Sequence, residues 1–271
     1  MNALHRLQER YATGEARALY ELILSQRFGL SRTDILLGKD TTLSAKDKEE
    51  LQIIIDRVAK GEPVQYVLGC EEFCGRTFLV GPGVLIPRPE TQQLVELVKQ
   101  NVAPKKTILD IGTGSGCIAV TLALEGYKVS AFDISDEALA YARRNAERLG
   151  AEVEFAKGDI FQCSMFNVQW NAIVSNPPYI CKSEAEAMEE NVLEHEPHLA
   201  LFVPDDDPML FYRTICEFGR EHLADDGQIF FEINRAYPEL VEELLLQKGY
   251  EEVRIVKDEY ENNRFVCARK K

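Results

Sequence analysis

The run ILDIGTGSGCIAV, residues 108–120, decides the fold. It begins as an apolar strand, breaks into a glycine loop and continues as a helix. Gly112, Gly114 and Gly116 let the backbone turn tightly and approach a ligand with no Cβ in the way. A dinucleotide-binding loop of this kind wants glycine or alanine at position 117, and the chain has Cys117 there.

Downstream the alternation continues. KVSAFDIS, EVEFAKGD, NAIVSNPP and QIFFEIN read as strands, and SDEALAYARRNAERLG and DPMLFYRTICEFGREHL read as helices between them. Strand and helix in turn imply a parallel sheet covered on both faces, an α/β fold. The C-terminal YEEVRIVKDEYENNRFVCARK offers two strands with a short polar connection, hence an antiparallel hairpin at a sheet edge.

Upstream the chain is helical. GEARALYELILSQRFG sets Leu19, Leu22, Ile23 and Gln26 on one face, with Gly29 as its stop. A second helix starts at a capping Ser44, carries Leu51, Ile54, Ile55 and Val58 at helical spacing, and ends at Gly61. Next, β-prone residues flank Cys74-Gly75, a hairpin turn, and prolines and glycines follow. The expected organisation is a helical bundle over 1–62, a β-hairpin linker over 63–90 and an α/β domain over 91–271.

The bulk properties narrow the function. At 271 residues and 45% apolar content the chain can build a full core. No apolar run is long enough to span a membrane, and the N-terminal residues lack the apolar stretch of a signal peptide. Seven cysteines without regular spacing fit reduced thiols and a cytoplasmic location. Cys70 and Cys74 have no second pair, so no metal is expected. A net charge of −14 is the wrong sign for gripping a nucleic-acid backbone.

Acidic residues close three successive strands, at the sheet edge where ligands of such folds bind. Asp110, just before the loop, suits a ligand that carries an ammonium group. Asp133 stands where a carboxylate accepts from two ribose hydroxyls. Asp159 could reach an adenine amino group, with Ile160 packing near the ring. Thr113 and Ser115 complete the loop between the glycines.

SNPPYI, residues 175–180, stops a buried strand abruptly, because proline has no amide donor. It holds Asn176 and Tyr179 in a stiff turn at the strand end. A glycine loop with NPPY after the fourth strand resembles the class I S-adenosylmethionine-dependent methyltransferases. Together with the N-terminal bundle, QYVLG, VLIPRPET and EPHLALF, it is similar over nearly the whole chain to the HemK/PrmC family, protein-glutamine N5-methyltransferases of class I peptide-chain release factors. NPPY itself is shared with adenine-N6 DNA methyltransferases, so it marks the chemistry more than the substrate.

The resemblance implies a Rossmann-like methyltransferase fold, S-adenosyl-L-methionine as cofactor with S-adenosyl-L-homocysteine as product, and a release factor as protein substrate. It implies a monomer with no direct nucleic-acid or membrane partner. Asn176 Oδ1 and the Pro177 carbonyl would accept from the substrate amide, Pro178 would stiffen the turn and Tyr179 would stack on the amide plane. An adenine-N6 methyltransferase, or a non-catalytic binding protein on the same fold, is the competing reading.

Three features depart from the family. Gln92 replaces glutamate in RPETQ, LFVPDDDPMLFY replaces a glycine-rich segment, and Asn234 replaces glycine in EIN. His195 and His198 read as structural, Cys117 as packing and Trp170 as core.

Overall fold

The computed structural model describes residues 3–162 and 168–271. They divide into two units. The first comprises Met1–Cys70 with Val80–Pro82 and Glu189–His195, and the second holds the remainder.

The first unit is helical: α1 (Ala3–Gln8), α2 (Thr13–Phe28), α3 (Arg32–Leu36), α4 (Ala45–Ala59) and α5 (Val64–Leu68). Gly29 ends α2 in the left-handed conformation, and the Ser44 side chain caps α4 by accepting from Asp47 N–H. Leu51, Ile54, Ile55 and Val58 are buried, as their spacing predicts. On α2 the buried face is Ala16, Ile23 and Leu24, while Gln26 is exposed. Glutamine gains nothing from an apolar interior, so the helix turns its Ala-Ile-Leu stripe inward. The α5 stretch falls where the sequence suggests a linker, yet Val64 packs into this helical core.

The second unit opens with a hairpin, β1 (Cys70–Phe73) and β2 (Arg76–Leu79). Cys74 and Gly75 both have positive φ, 48° and 68°, the conformation that a two-residue hairpin turn needs. Next come α6 (Pro89–Asn101), β3 (Thr107–Ile111), α7 (Cys117–Leu124), β4 (Lys128–Asp133), α8 (Asp136–Leu149), β5 (Val153–Lys157) and β6 (Trp170–Ser175). Short strands β7 (Ile180–Cys181) and β8 (Phe202–Val203) pair in parallel, with α10 (His198–Leu201) just before β8; α9 (Glu190–His195) belongs to the first unit. The chain ends with α11 (Leu210–His222), β9 (Leu223–Glu232), α12 (Pro238–Gln247), β10 (Tyr250–Lys257) and β11 (Asn263–Lys270).

Seven strands form one sheet in the order β10-β11-β9-β6-β3-β4-β5. The five from β9 to β5 run parallel, and β11 is antiparallel to both its neighbours. Successive residues of each strand feed opposite cores. Ile108, Val174 and Phe230 join Leu94, Val98 and Ile118 on one face, while Leu109, Ile173 and Phe231 join Ile215, Val241 and Leu245 on the other. Trp170 is core, as the sequence implies. The chain reverses direction across the sheet at β3, so a crevice opens at the carboxyl ends of β3 and β6.

Candidate active site

The glycine loop links β3 to α7. Gly112 and Thr113 N–H both donate to Phe132 O on β4, at 3.0 and 3.1 Å, which folds the loop back over the sheet edge. Gly116 has φ of 80°, and a Cβ there would lie 3.0 Å from the backbone of Ala142 on α8. A side chain would push loop and helix apart. Asn145, buried on α8, donates to Ser115 O at 2.9 Å and to Leu79 O at 3.0 Å, and accepts from Leu79 N–H at 2.7 Å. It ties the loop to the β1–β2 hairpin.

A cavity of about 290 Å³ opens beside this loop. Gly112, Gly114, Asp133, Asp159 and Ile160 line it, and so do Asn176, Pro177 and Pro178. Asp110, Thr113, Ser115, Gly116 and Tyr179 are not among the residues that line it. VGPGVLIPRPE and EPHLALF also contribute to the lining, through Val84, Leu85, Pro197 and Leu199. Glu196 fastens those two segments: its carboxylate accepts from Ile86 N–H at 3.0 Å and pairs with Arg88.

The three carboxylates differ. Asp110 is buried, and its Oδ2 accepts from Thr113 Oγ1 at 2.6 Å. Its Oδ1 has no hydrogen-bond partner among the described residues. Burial pushes this carboxyl up to about 7, against the Thr113 bond and with help from the negative Asp133. Asp133 Oδ2 accepts from Gly114 N–H and Oδ1 from Ser135 N–H, each at 2.9 Å. Burial raises this acid too, opposed by those amides. Asp159 lies two residues past the end of β5 rather than in the strand, and its Oδ1 accepts from Phe161 N–H at 3.0 Å. The glycine before it, Gly158, donates its N–H to Asp133 O at the end of β4, at 3.1 Å.

Asn176 and Tyr179 are joined through residues the sequence did not single out. Asn176 Nδ2 donates to Thr91 Oγ1 at 3.3 Å, and Thr91 Oγ1 donates to Glu232 Oε2 at 2.7 Å. Tyr179 Oη donates to Glu232 Oε1 at 3.1 Å. Burial raises the Tyr179 phenol well above its ordinary value, so it stays a donor beside the carboxylate. The available signal was a charge at the end of the apolar run QIFF, since a buried glutamate needs partners.

The departures from the family pattern acquire partners. Gln92 Oε1 accepts from Cys74 N–H at 2.9 Å, which anchors the hairpin turn to α6. Asn234 Nδ2 donates to Tyr179 O at 3.1 Å and to the Glu184 carboxylate. In the VPDDDP segment, Asp205 Oδ1 accepts from Ser183 N–H at 2.9 Å, next to the β7–β8 pairing. Cys117 is buried packing at the start of α7. The His198 ring meets Phe202 edge-on at 5.3 Å.

Comparison with known proteins places this architecture. Residues 1–69 match the PrmC N-terminal domain family, and residues 89–199 match the methyltransferase small domain family. A release factor glutamine methyltransferase of Bacteroides thetaiotaomicron is 48% identical over 97% of this chain and 95% of its own length. The chain belongs to the release factor glutamine methyltransferase family. A relative of that name from Flavobacterium psychrophilum is 40% identical over 93% of this chain and 91% of its own. Among solved structures, a Pyrococcus furiosus methyltransferase superposes with a TM-score of 0.54 at 21% identity, covering 71% of this chain and 88% of that one. A T. thermophilus 16S rRNA methyltransferase in complex with AdoMet and guanosine gives 0.55 at 18% identity, over 74% and 50%. These two likenesses establish the class I methyltransferase fold, and family membership makes the chain an enzyme. Among the described residues, no helix is long and apolar enough to cross a membrane.

Proposed function

We propose that this protein transfers a methyl group from S-adenosylmethionine to the side-chain amide nitrogen, N5, of the glutamine in the Gly-Gly-Gln motif of class I peptide-chain release factors. The observation that carries this reading is the hold on Asn176. Its Nδ2 is committed to Thr91, which leaves Oδ1 as the free acceptor of a residue lining the cavity.

The residues fit the cofactor. The unpartnered Asp110 Oδ1 is the acceptor an ammonium group needs. Asp133 spends two acceptor sites on backbone amides, and a carboxylate has about four, so two remain for ribose hydroxyls. Asp159 and Ile160 would take the adenine, and the loop from Gly112 to Gly116, with Thr113 and Ser115, the backbone-facing part. When bound, S-adenosylmethionine supplies an electrophilic methyl on sulfur.

The chain's own residues do the rest. An amide nitrogen is a poor nucleophile because its lone pair is delocalised into the carbonyl. Asn176 Oδ1 and Pro177 O accept from its two N–H groups and favour electron density on nitrogen as it attacks. Pro177 and Pro178 fix both acceptors in advance, and such positioning can supply up to ~7–11 kcal/mol. Tyr179 closes the site beside the amide. The proton leaves after transfer, so no general base is needed.

Residues 1–62 act as the docking module for the protein substrate, joined by the 63–90 segment to the catalytic residues 91–271. Leu36, Leu37 and Ile53 on the helical unit are 67%, 71% and 56% exposed, which supports a protein-binding role. The enzyme works in the cytoplasm, consistent with the thiols of Cys74, Cys117, Cys181, Cys216 and Cys267, which form no disulfide. Labelled S-adenosylmethionine offered with release factor, DNA and RNA in separate reactions tests the substrate class. Label on nucleic acid alone would favour the adenine-N6 reading, and label on none would favour a binding protein.

A further inference from the structure

We infer that Glu232 and Thr91 are positioning residues that set the direction of the Asn176 amide, so that its oxygen and not its nitrogen faces the substrate. This deepens the glutamine-methylation reading above and rests on it.

The chain of donors has only one consistent sense. Glu232 ends β9 and is 1% exposed. An ionised carboxylate can only accept. Its Oε2 takes the single hydroxyl proton of Thr91, and its Oε1 takes that of Tyr179. With its proton committed, Thr91 Oγ1 can present only lone pairs to Asn176. Those lone pairs attract Nδ2 and repel Oδ1. The side chain is therefore held with Nδ2 inward at 3.3 Å and Oδ1 outward. An asparagine amide is nearly symmetric in shape, so packing alone would not choose between the two orientations. The wrong one would turn N–H groups toward a substrate N–H and repel it.

The surroundings keep Glu232 in place. Tyr212 Oη donates to its backbone carbonyl at 3.2 Å, locking the strand end. Burial raises the Glu232 carboxyl above its ordinary value, and the Thr91 and Tyr179 bonds, with the positive charge of Arg264 held by Asp258, oppose that shift. Asn234, two residues further on, holds the Tyr179 carbonyl. The end of β9 thus grips Tyr179 at both its phenol and its backbone.

Three nearly isosteric variants test this. Thr91→Val removes the relay, Thr91→Ser restores the hydroxyl, and Glu232→Gln offers a donor that lets Thr91 reverse its bond. With release factor as acceptor, Thr91→Val and Glu232→Gln should lower kcat at least about tenfold, since misplacement of a reacting group on this scale is that costly. KM for the factor and affinity for S-adenosylhomocysteine should stay within about twofold, and Thr91→Ser should recover most of kcat. A second readout needs no turnover: the Asn176 Nδ2 protons, seen by amide NMR, should be protected from exchange in the wild type and in Thr91→Ser, and lose protection in Thr91→Val. A wild-type enzyme that methylates no glutamine would overturn the functional reading alone, and the NMR series would still judge the orientation. Wild-type kcat in both Thr91→Val and Glu232→Gln, a loss that Thr91→Ser fails to rescue, or unchanged Asn176 protection in Thr91→Val would each overturn the inference.

Discussion

Replacing Asp133 by alanine probes the cofactor site most sharply, because this carboxylate has two jobs that separate in their signs and sizes. It accepts from Gly114 and Ser135 N–H at 2.9 Å each, which shapes the glycine loop. Those amides are only partly buried and water can reach them, so their loss should destabilise the fold by ~1 kcal/mol each. The two remaining acceptor sites are assigned to ribose hydroxyls. Charge-assisted bonds of that kind are worth ~1.5–3 kcal/mol each, so binding should weaken by ~3 kcal/mol or more, about 10²-fold in Kd. One effect runs the other way: removing this charge relieves Asp110, whose carboxyl Asp133 helps to hold un-ionised. That relief acts through space on one group and is smaller than two direct bonds. Titration calorimetry with S-adenosylhomocysteine measures Kd without turnover, and a thermal melt followed by circular dichroism measures stability. Asp133→Asn keeps one oxygen acceptor and should fall between wild type and alanine. A folded Asp133→Ala protein that binds S-adenosylhomocysteine within twofold of wild type would refute the ribose assignment.

Asn176→Ala should cut the single-turnover rate by about 10²-fold while cofactor affinity barely moves, and a wild-type rate in that variant would end the amide-clamp mechanism. Asp110 gives a pH signature. Its carboxyl sits at about 7 in the free protein, above the unfolded value, so it binds a proton that an incoming ammonium group must displace. Affinity should fall about fivefold from pH 7 to pH 6, calorimetry in buffers of different ionisation enthalpy should register proton release, and in the free protein this group's contribution to stability should decline as pH rises from about 4 to about 7. Changing Leu36, Leu37 and Ile53 together to glutamine should lower kcat/KM on intact release factor about tenfold and leave a Gly-Gly-Gln peptide equally poor in both forms. Equal kcat/KM on the intact factor would show that this surface does not dock it. Asn234→Ala frees the Tyr179 carbonyl and removes one donor from Glu184, which keeps Cys181 N–H, so chemical denaturation should report a loss of ~1–3 kcal/mol.

The sheet was legible because parallel strands are buried on both faces and read as unbroken apolar runs. Glycines and the paired prolines marked the strand ends, so the loop at Gly112–Gly116 and the turn at Asn176 fell where the sequence put them. Cys74-Gly75 was readable as a turn although only one of the two is glycine. The helix at Val64–Leu68 was missed because five residues between a proline and a glycine carry too little periodicity to count. The link from Thr91 to Glu232 was beyond reach for another reason. The two lie 141 positions apart, and neither has a local pattern that names the other. Only the fold brings the start of α6 against the end of β9. The sequence held one hint, a glutamate closing an apolar strand, and a buried carboxylate always has partners to be found.

Intact-protein and peptide mass spectrometry of a class I release factor, incubated with this enzyme and S-adenosylmethionine, measures the proposed reaction most directly. One methyl group per factor should appear, fragmentation should place it on the side-chain amide of the glutamine in the Gly-Gly-Gln motif, and Asn176→Ala should produce almost none over the same time. A factor that stays unmodified, or a methyl group on any other residue, would contradict the reaction proposed for this site.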